Sequence, residues 1–216
     1  MIQRSRTDLT LLLDRSGSMA SIRSDVEGGL ARFLAEQKAL PGECDLTLVQ
    51  FDSEAIETVF EARPVQRAPR IRLEPRGWTP LLDAVGRTIE RTGRRLARIP
   101  EPARPGRVLF VIVTDGLENA SREFTRAKVK AMIDRQQQVY SWQFIYLGAN
   151  VDAFAEAAGL GIPAESAAGY HASPAGVQAA FAVMSRRCAS VRDGGSSAFT
   201  VADRRELESG GQAGRG

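Results

Sequence analysis

At 216 residues the chain is long enough for one domain with a sizeable core, and a 43% hydrophobic and 25% charged content is ordinary for a globular protein. A net charge of +3, with arginines spread out rather than clustered among aromatics, argues against nucleic-acid binding. No apolar run approaches the roughly 18 residues of a membrane span, the leading M-I-Q-R-S-R-T-D has no apolar signal region, and the two cysteines, Cys44 and Cys188, read as small buried hydrophobes rather than a disulfide; together these predict a cytoplasmic protein with no membrane partner.

In chain order, residues 9–13 form an apolar run that stops at Asp14 and read as a strand buried on both faces. Strands of that kind place ligands beyond their carboxyl ends. Asp14, Ser16 and Ser18 leave the strand there as a carboxylate and two hydroxyls, hard oxygen donors that suit a cation such as Mg²⁺. A helix follows, with Ile22, Val26, Leu30, Phe33 and Leu34 at helical spacing, and its Gly28-Gly29 pair permits close packing on the sheet. Residues 44–51 alternate as a strand, 52–54 turn, and 55–60 return antiparallel because the link is too short for a crossover. Residues 61–76 carry three prolines and five arginines and read as a long surface connection, with a short extended piece at 71–73. This connection delivers the chain to Thr79-Pro80. Thr79 has two compatible readings there: the N-cap of a helix whose first residue is proline, or a hydroxyl aimed at a metal, which the presence of Asp14 and Asp115 favours.

Leu81, Leu82, Val85, Ile89 and Leu96 give the next helix its buried face. Residues 107–114 form the most hydrophobic strand, and Asp115-Gly116 directly after it falls where an α/β fold places chemistry. Glu118 and Asn119 either reach a metal's waters or cap the helix predicted around 124–135. Residues 139–147 read as another buried strand. Asn150 is the expected N-cap of a short helix over 152–158, and a short edge strand lies within 162–170. His171, the only histidine, reads as a surface loop residue. Ser173-Pro174 starts the last helix, lined by Val177, Phe181, Met184, Cys188 and Val191. The expected organisation is a domain over 1–192 and a flexible tail rich in Gly, Ser and charge over 193–216.

The D-R-S-G-S run from Asp14 to Ser18 resembles the first motif, D-x-S-x-S, of von Willebrand factor type A (VWA) domains, which begins a metal-ion-dependent adhesion site (MIDAS). Thr79 in G-W-T-P-L-L-D-A and Asp115 in V-L-F-V-I-V-T-D-G match the two later motifs, in the right order and context. The resemblance runs over residues 7 to 192 and is nearest to stand-alone bacterial and phage members. It implies a Rossmann-like three-layer α/β sandwich: a doubly wound, mostly parallel six-stranded sheet with one antiparallel edge strand. It implies a metal set of Asp14, Ser16, Ser18, Thr79 and Asp115 holding Mg²⁺ or Mn²⁺. It further implies a protein partner that supplies an acidic residue, and a binding module rather than an enzyme. Arg70, Arg72 and Arg76 would steer such a partner. Two other readings remain: a metal-dependent phosphatase of the haloacid dehalogenase type with Asp14 as nucleophile, and a scaffold whose metal site is vestigial. The phosphatase reading lacks the second Asp, since Ser16 stands in its place. Trp78 departs from the small residue common in bacterial relatives, and either shapes a partner groove or caps the edge of the core.

Overall fold

The structure, a computed structural model, describes residues 3–149 and 151–212. Six strands form one sheet in the order β3-β2-β1-β4-β5-β6, from β1 (Gln3–Asp14), β2 (Cys44–Phe51), β3 (Ile56–Pro64), β4 (Pro105–Thr114), β5 (Gln143–Ala149) and β6 (Ala167–Tyr170). All neighbours are parallel except β2 and β3. This is the expected α/β sandwich with one antiparallel edge strand. The helices are α1 (Arg23–Ala39), α2 (Leu81–Ala97), α3 (Arg126–Tyr140), α4 (Ala153–Gly159), α5 (Pro174–Arg192) and α6 (Val201–Gln212).

Because side chains alternate along a strand, the sheet feeds two cores. Leu9, Leu11, Leu13, Leu109, Val111 and Val113 face α1 and α5. Leu12, Phe110, Ile112, Phe144 and Tyr146 face α2, α3 and α4. Burial on both faces explains the unbroken apolar runs of β1 and β4. Gly29 serves α5 rather than the sheet: a Cβ there would strike the Phe181 ring. A buried polar staple ties the same two helices. Gln37 of α1 donates to the Ser185 carbonyl at 3.1 Å, and Arg192 of α5 donates to the Gln37 carbonyl at 2.6 Å and to the carbonyls of Pro41 and Gly42 beyond α1. Cys44 and Cys188 are both buried and unpaired. Among the described residues no helix is long and apolar enough to cross a membrane.

Three sequence expectations change. The predicted strand over 139–147 begins only at Gln143, because α3 continues to Tyr140 and ends in a left-handed Ser141 with φ 55°. Residues 71–73 form no strand, although Ile71 and Leu73 are buried. The flexible tail expected from residue 193 instead contains α6, which buries Leu207 and, just before it, Phe199. Thr200 and Asp203 exchange hydrogen bonds at its start in the manner of a capping box: the Thr200 amide donates to Asp203 Oδ2 at 2.9 Å, and the Asp203 amide to Thr200 Oγ1 at 3.2 Å. Asp203 also takes Arg186 and Arg187 of α5, each at 3.1 Å. Since Arg186 is partly exposed, Asp203→Ala is expected to lose only about 1–3 kcal/mol. Denaturant unfolding checks that figure, and faster proteolysis within 193–212 checks that α6 has been released. Asn150, the N-cap expected for α4, lies outside the described residues; Asp152 caps that helix, accepting from the Ala155 amide at 3.0 Å.

Candidate metal centre

The chain passes from β1 to β2 on one side and returns to β4 on the other, so the carboxyl ends of β1 and β4 form the crevice where the strand order reverses. Asp14 closes β1 and Asp115 directly follows β4. Ser16 and Ser18 enter the 3-10 turn Gly17–Ile22 that leads into α1. Their hydroxyls lie 3.1 Å apart, and Ser18 Oγ donates to Asp115 Oδ1 at 2.7 Å. Thr79 completes the group: a Cβ at Gly116 would sit 3.3 Å from Thr79 Oγ1 and 3.8 Å from Ser18 Oγ, so Gly116 leaves room for both hydroxyls. The fold thus gathers all five expected residues, drawn from three loops, into one cluster.

Asp14 and Asp115 are buried, and among the described residues neither forms an ion pair with Arg, Lys or His. The Asp14 carboxylate accepts only neutral donors, Thr114 Oγ1 at 2.6 Å and the Ser16 amide at 2.7 Å. Burial pushes its pKa up from 3.8 to about 6, an effect those hydrogen bonds offset in part. Burial raises the Asp115 pKa as well, against the Ser18 hydrogen bond. Two buried carboxylates without a cation are costly, and with three hydroxyls beside them they form an all-oxygen set suited to a hard divalent ion. The described residues contain no cluster of three or more His, Cys, Asp or Glu side chains able to hold a metal; the set here is two carboxylates and three alcohols.

Thr79 is not the N-cap anticipated for α2. The helix begins at Leu81 after Pro80, with no side-chain cap from Thr79. The free amides at that end are instead served across the crevice. Asn119 Oδ1 accepts from the Thr79 amide at 2.8 Å, Glu118 Oε2 from the Leu82 amide at 2.8 Å, and Ser121 Oγ from the Asp83 amide at 3.0 Å. Asp83 reciprocates by accepting from the amides of Arg122, Glu123 and Phe124 at 2.9, 3.0 and 2.8 Å. Glu118 and Asn119 do not cap α3, whose N-cap is Thr125. They lock the loop that carries Asp115 to the loop that carries Thr79. Of these residues, sequence reading passed over Thr114, Asp83 and Ser121.

Two large apolar side chains stand open around the cluster. Trp78, next to Thr79, is 67% exposed, and Leu117, two residues past Asp115, is 54% exposed. Trp78 therefore does not cap the core. It lines a groove of about 970 Å³ together with residues 53–56, Asp83, Arg87 and residues 119–123.

No protein-family profile matches the sequence, and no curated protein matches it. Solved structures do. Proximal thread matrix protein 1 from the mussel byssus aligns with a TM-score of 0.61 at 10% identity over 86% of this chain and 47% of its own. A second structure of that protein, described as having a zinc-occupied MIDAS motif, aligns with a TM-score of 0.60 at 12% identity over 85% and 46%. A von Willebrand factor type A structure from Catenulispora acidiphila aligns with a TM-score of 0.58 at 16% identity over 87% and 43%. The chain spans less than half the length of each. With the strand order above, these alignments establish that the chain has the von Willebrand factor type A fold.

Proposed function

We propose that this domain is a metal-dependent protein-binding module, with Asp14, Ser16, Ser18, Thr79 and Asp115 as the ligands of a Mg²⁺ or Mn²⁺ ion. The observation that carries this reading is the meeting of two buried carboxylates, without a basic partner among the described residues, with three hydroxyls at the open end of the sheet. The zinc-occupied MIDAS of the byssus protein supports the placement of a divalent ion on this fold. Oxygen-only donors favour Mg²⁺ or Mn²⁺ here over zinc, which prefers nitrogen and sulfur. A bound ion, only just neutralised by two carboxylates, offers its remaining positions to an anionic oxygen. An Asp or Glu side chain of a partner protein fits that need, and Trp78 and Leu117 then lie against the partner's flanking residues. Exposed aromatics in such places are the usual interface anchors. Arg76 is committed elsewhere, at 3.1 Å from Asp52 and 3.4 Å from Glu54, so among the expected steering residues Arg70 and Arg72 are left to guide an acidic partner.

The two tryptophans provide the test. Trp78 borders the cluster, whereas Trp142 is buried before the start of β5, at the opposite end of the sheet, stacked on Phe110 at 5.3 Å. Paramagnetic Mn²⁺ is expected to quench the wild-type emission saturably, to have no such effect on Trp78→Phe, and to be chased off by Mg²⁺. Equal quenching in both proteins would place the ion elsewhere, and no quenching in wild type would remove the metal reading.

A further inference from the structure

The turn between β2 and β3 touches both metal-bearing loops at once. Asp52 is buried, and its Oδ1 is occupied by the turn's own amides, Glu54 at 2.7 Å and Ala55 at 2.9 Å. Its Oδ2 faces two guanidiniums: Arg15 Nε, in a short charge-assisted hydrogen bond, and Arg76 Nε at 3.1 Å. Arg15 stands between Asp14 and Ser16, inside the first motif, yet its side chain is turned away from the cluster and buried. There it also meets Glu57 Oε2 at 2.8 Å and Gln50 Oε1 at 3.4 Å. Arg76 belongs to the segment that delivers Thr79. Backbone bonds run in the same direction: the Arg15 amide to the Phe51 carbonyl at 2.9 Å, the Arg76 amide to the Arg15 carbonyl at 2.8 Å, and the Gly17 amide to the Gly77 carbonyl at 3.0 Å. Ser53 Oγ accepts from the Trp78 amide at 2.9 Å. Gly77, at φ 63°, packs so closely on that hydroxyl that a Cβ there would displace it, in a backbone conformation that side chains rarely adopt.

From this arrangement we infer that the β2–β3 turn is a positioning element of the metal centre, with Asp52, Arg15 and Arg76 as an ion triad that fixes the spacing between the Asp14–Ser18 loop and Thr79. The inference rests on the metal-site reading above and adds a set of residues that touch no ion. Two loops from distant parts of the chain must present hydroxyls to one point. A buried carboxylate bridging two arginines, one from each loop, is a direct way to hold them in register. Arginine suits the task because its planar fork holds direction as well as charge.

Asp52→Asn keeps the acceptor for the turn amides and removes the charge between the guanidiniums. It is expected to weaken Mn²⁺ binding by about tenfold or more, the usual effect of removing a group that orients a metal ligand. Hydrogen exchange at the Gly17 and Trp78 amides is expected to speed up, while Ser53→Ala is expected to act in the same direction by a smaller factor with the buried ion triad left intact. Titration of Mn²⁺ by electron paramagnetic resonance, beside amide exchange on the metal-free protein, reads the two effects separately. Wild-type affinity in both folded variants would overturn the inference and leave the metal site standing. If wild type bound no Mn²⁺, the metal reading would fall, and unchanged exchange at Gly17 and Trp78 in Asp52→Asn would show that the turn positions nothing. Should Asp52→Asn fail to fold, Arg76→Gln, at the partly exposed member of the triad, takes its place: lost affinity with faster Gly17 and Trp78 exchange supports the inference, and wild-type values for both refute it.

Discussion

In EDTA at pH 7, Asp14→Asn is expected to melt above the wild type, yet only the wild type is expected to gain stability from Mg²⁺. Burial raises the Asp14 pKa from 3.8 to about 6 in the metal-free fold, so folding holds a proton more tightly than the unfolded chain does. Between those two values the folded state binds more protons, and stability falls as the pH rises through the window. Above about pH 6 the cost of the buried carboxylate is fully present. An asparagine removes that cost and keeps the shape, because the Thr114 hydroxyl can turn to accept from the amide. The gain expected is about 1–3 kcal/mol, or roughly 2–4 °C for each kcal/mol in a chain of this size. It should shrink as the pH falls through that window and vanish below 3.8, where the wild-type carboxyl becomes protonated in both states. A divalent ion reverses the balance for the wild type, adding about 2.7 kcal/mol at a hundred times its dissociation constant. Melting curves of both proteins in EDTA and in a Mg²⁺ series check both halves. A variant that melts lower in EDTA would mean that the Asp14 carboxylate is well solvated or paired, and an equal Mg²⁺ response in both proteins would place the ion elsewhere.

The positions of these candidate residues were largely legible in the sequence. Asp14, Ser16 and Ser18 are local, three residues in a run of five after an apolar strand, and their placement follows from the strand alone. Thr79 and Asp115 were legible because each begins or ends a strongly periodic element. Cys44–Phe51 was read to the residue, since its alternation and the short turn after it leave little choice. Where reading failed, a nonlocal contact or a compositional prejudice was responsible. The V-Y-S-W segment has the aromatic, β-branched character of a strand, but Val139 and Tyr140 are solvent-facing residues of the last turn of α3, at 63% and 54% exposure. Tertiary packing of Val129 and Ile133 in the same helix overrode the local preference. The glycine, serine and charge of the last stretch suggested disorder, yet T-V-A-D at 200–203 is a readable capping signal, and Phe199 and Leu207 are the apolar residues it needed. Arg15 was unreadable for a different reason: a variable position inside a motif reads as exposed, and only the distant Asp52 and Glu57 show why an arginine is buried there.

The interlock of α2 with the loop after β4 is the least legible feature and has the largest structural effect. Asp83→Ala is expected to destabilise the fold by about 2–4 kcal/mol, because three amides lose a charged acceptor and that of Phe124 is buried away from water. Those donors are 39–41 residues away in sequence, so no local pattern announces them. Burial opposes the ionisation of Asp83, but the amides of Arg122, Phe124 and Glu123 outweigh it and hold its pKa below 3.8. The contribution is therefore complete above the unfolded-state value and is lost as the pH falls through the lower folded one. Wild type and Asp83→Ala should converge in strongly acidic solution, while Asp83→Asn, with one acceptor oxygen left, should fall between them at neutral pH. The site should suffer as well. Glu118 and Asn119 on one side and Leu82 and Thr79 on the other belong to the same interlock, so a loosened loop lets Asp115 drift from Thr79 and weakens metal binding in protein that is still folded. Urea unfolding at neutral and acidic pH, with Mn²⁺ titration of the folded variant, reads both effects. Wild-type stability for Asp83→Ala would show that water replaces the carboxylate without loss. Lost stability with unchanged Mn²⁺ affinity would show that the interlock supports the fold and leaves the position of Thr79 to the β2–β3 turn.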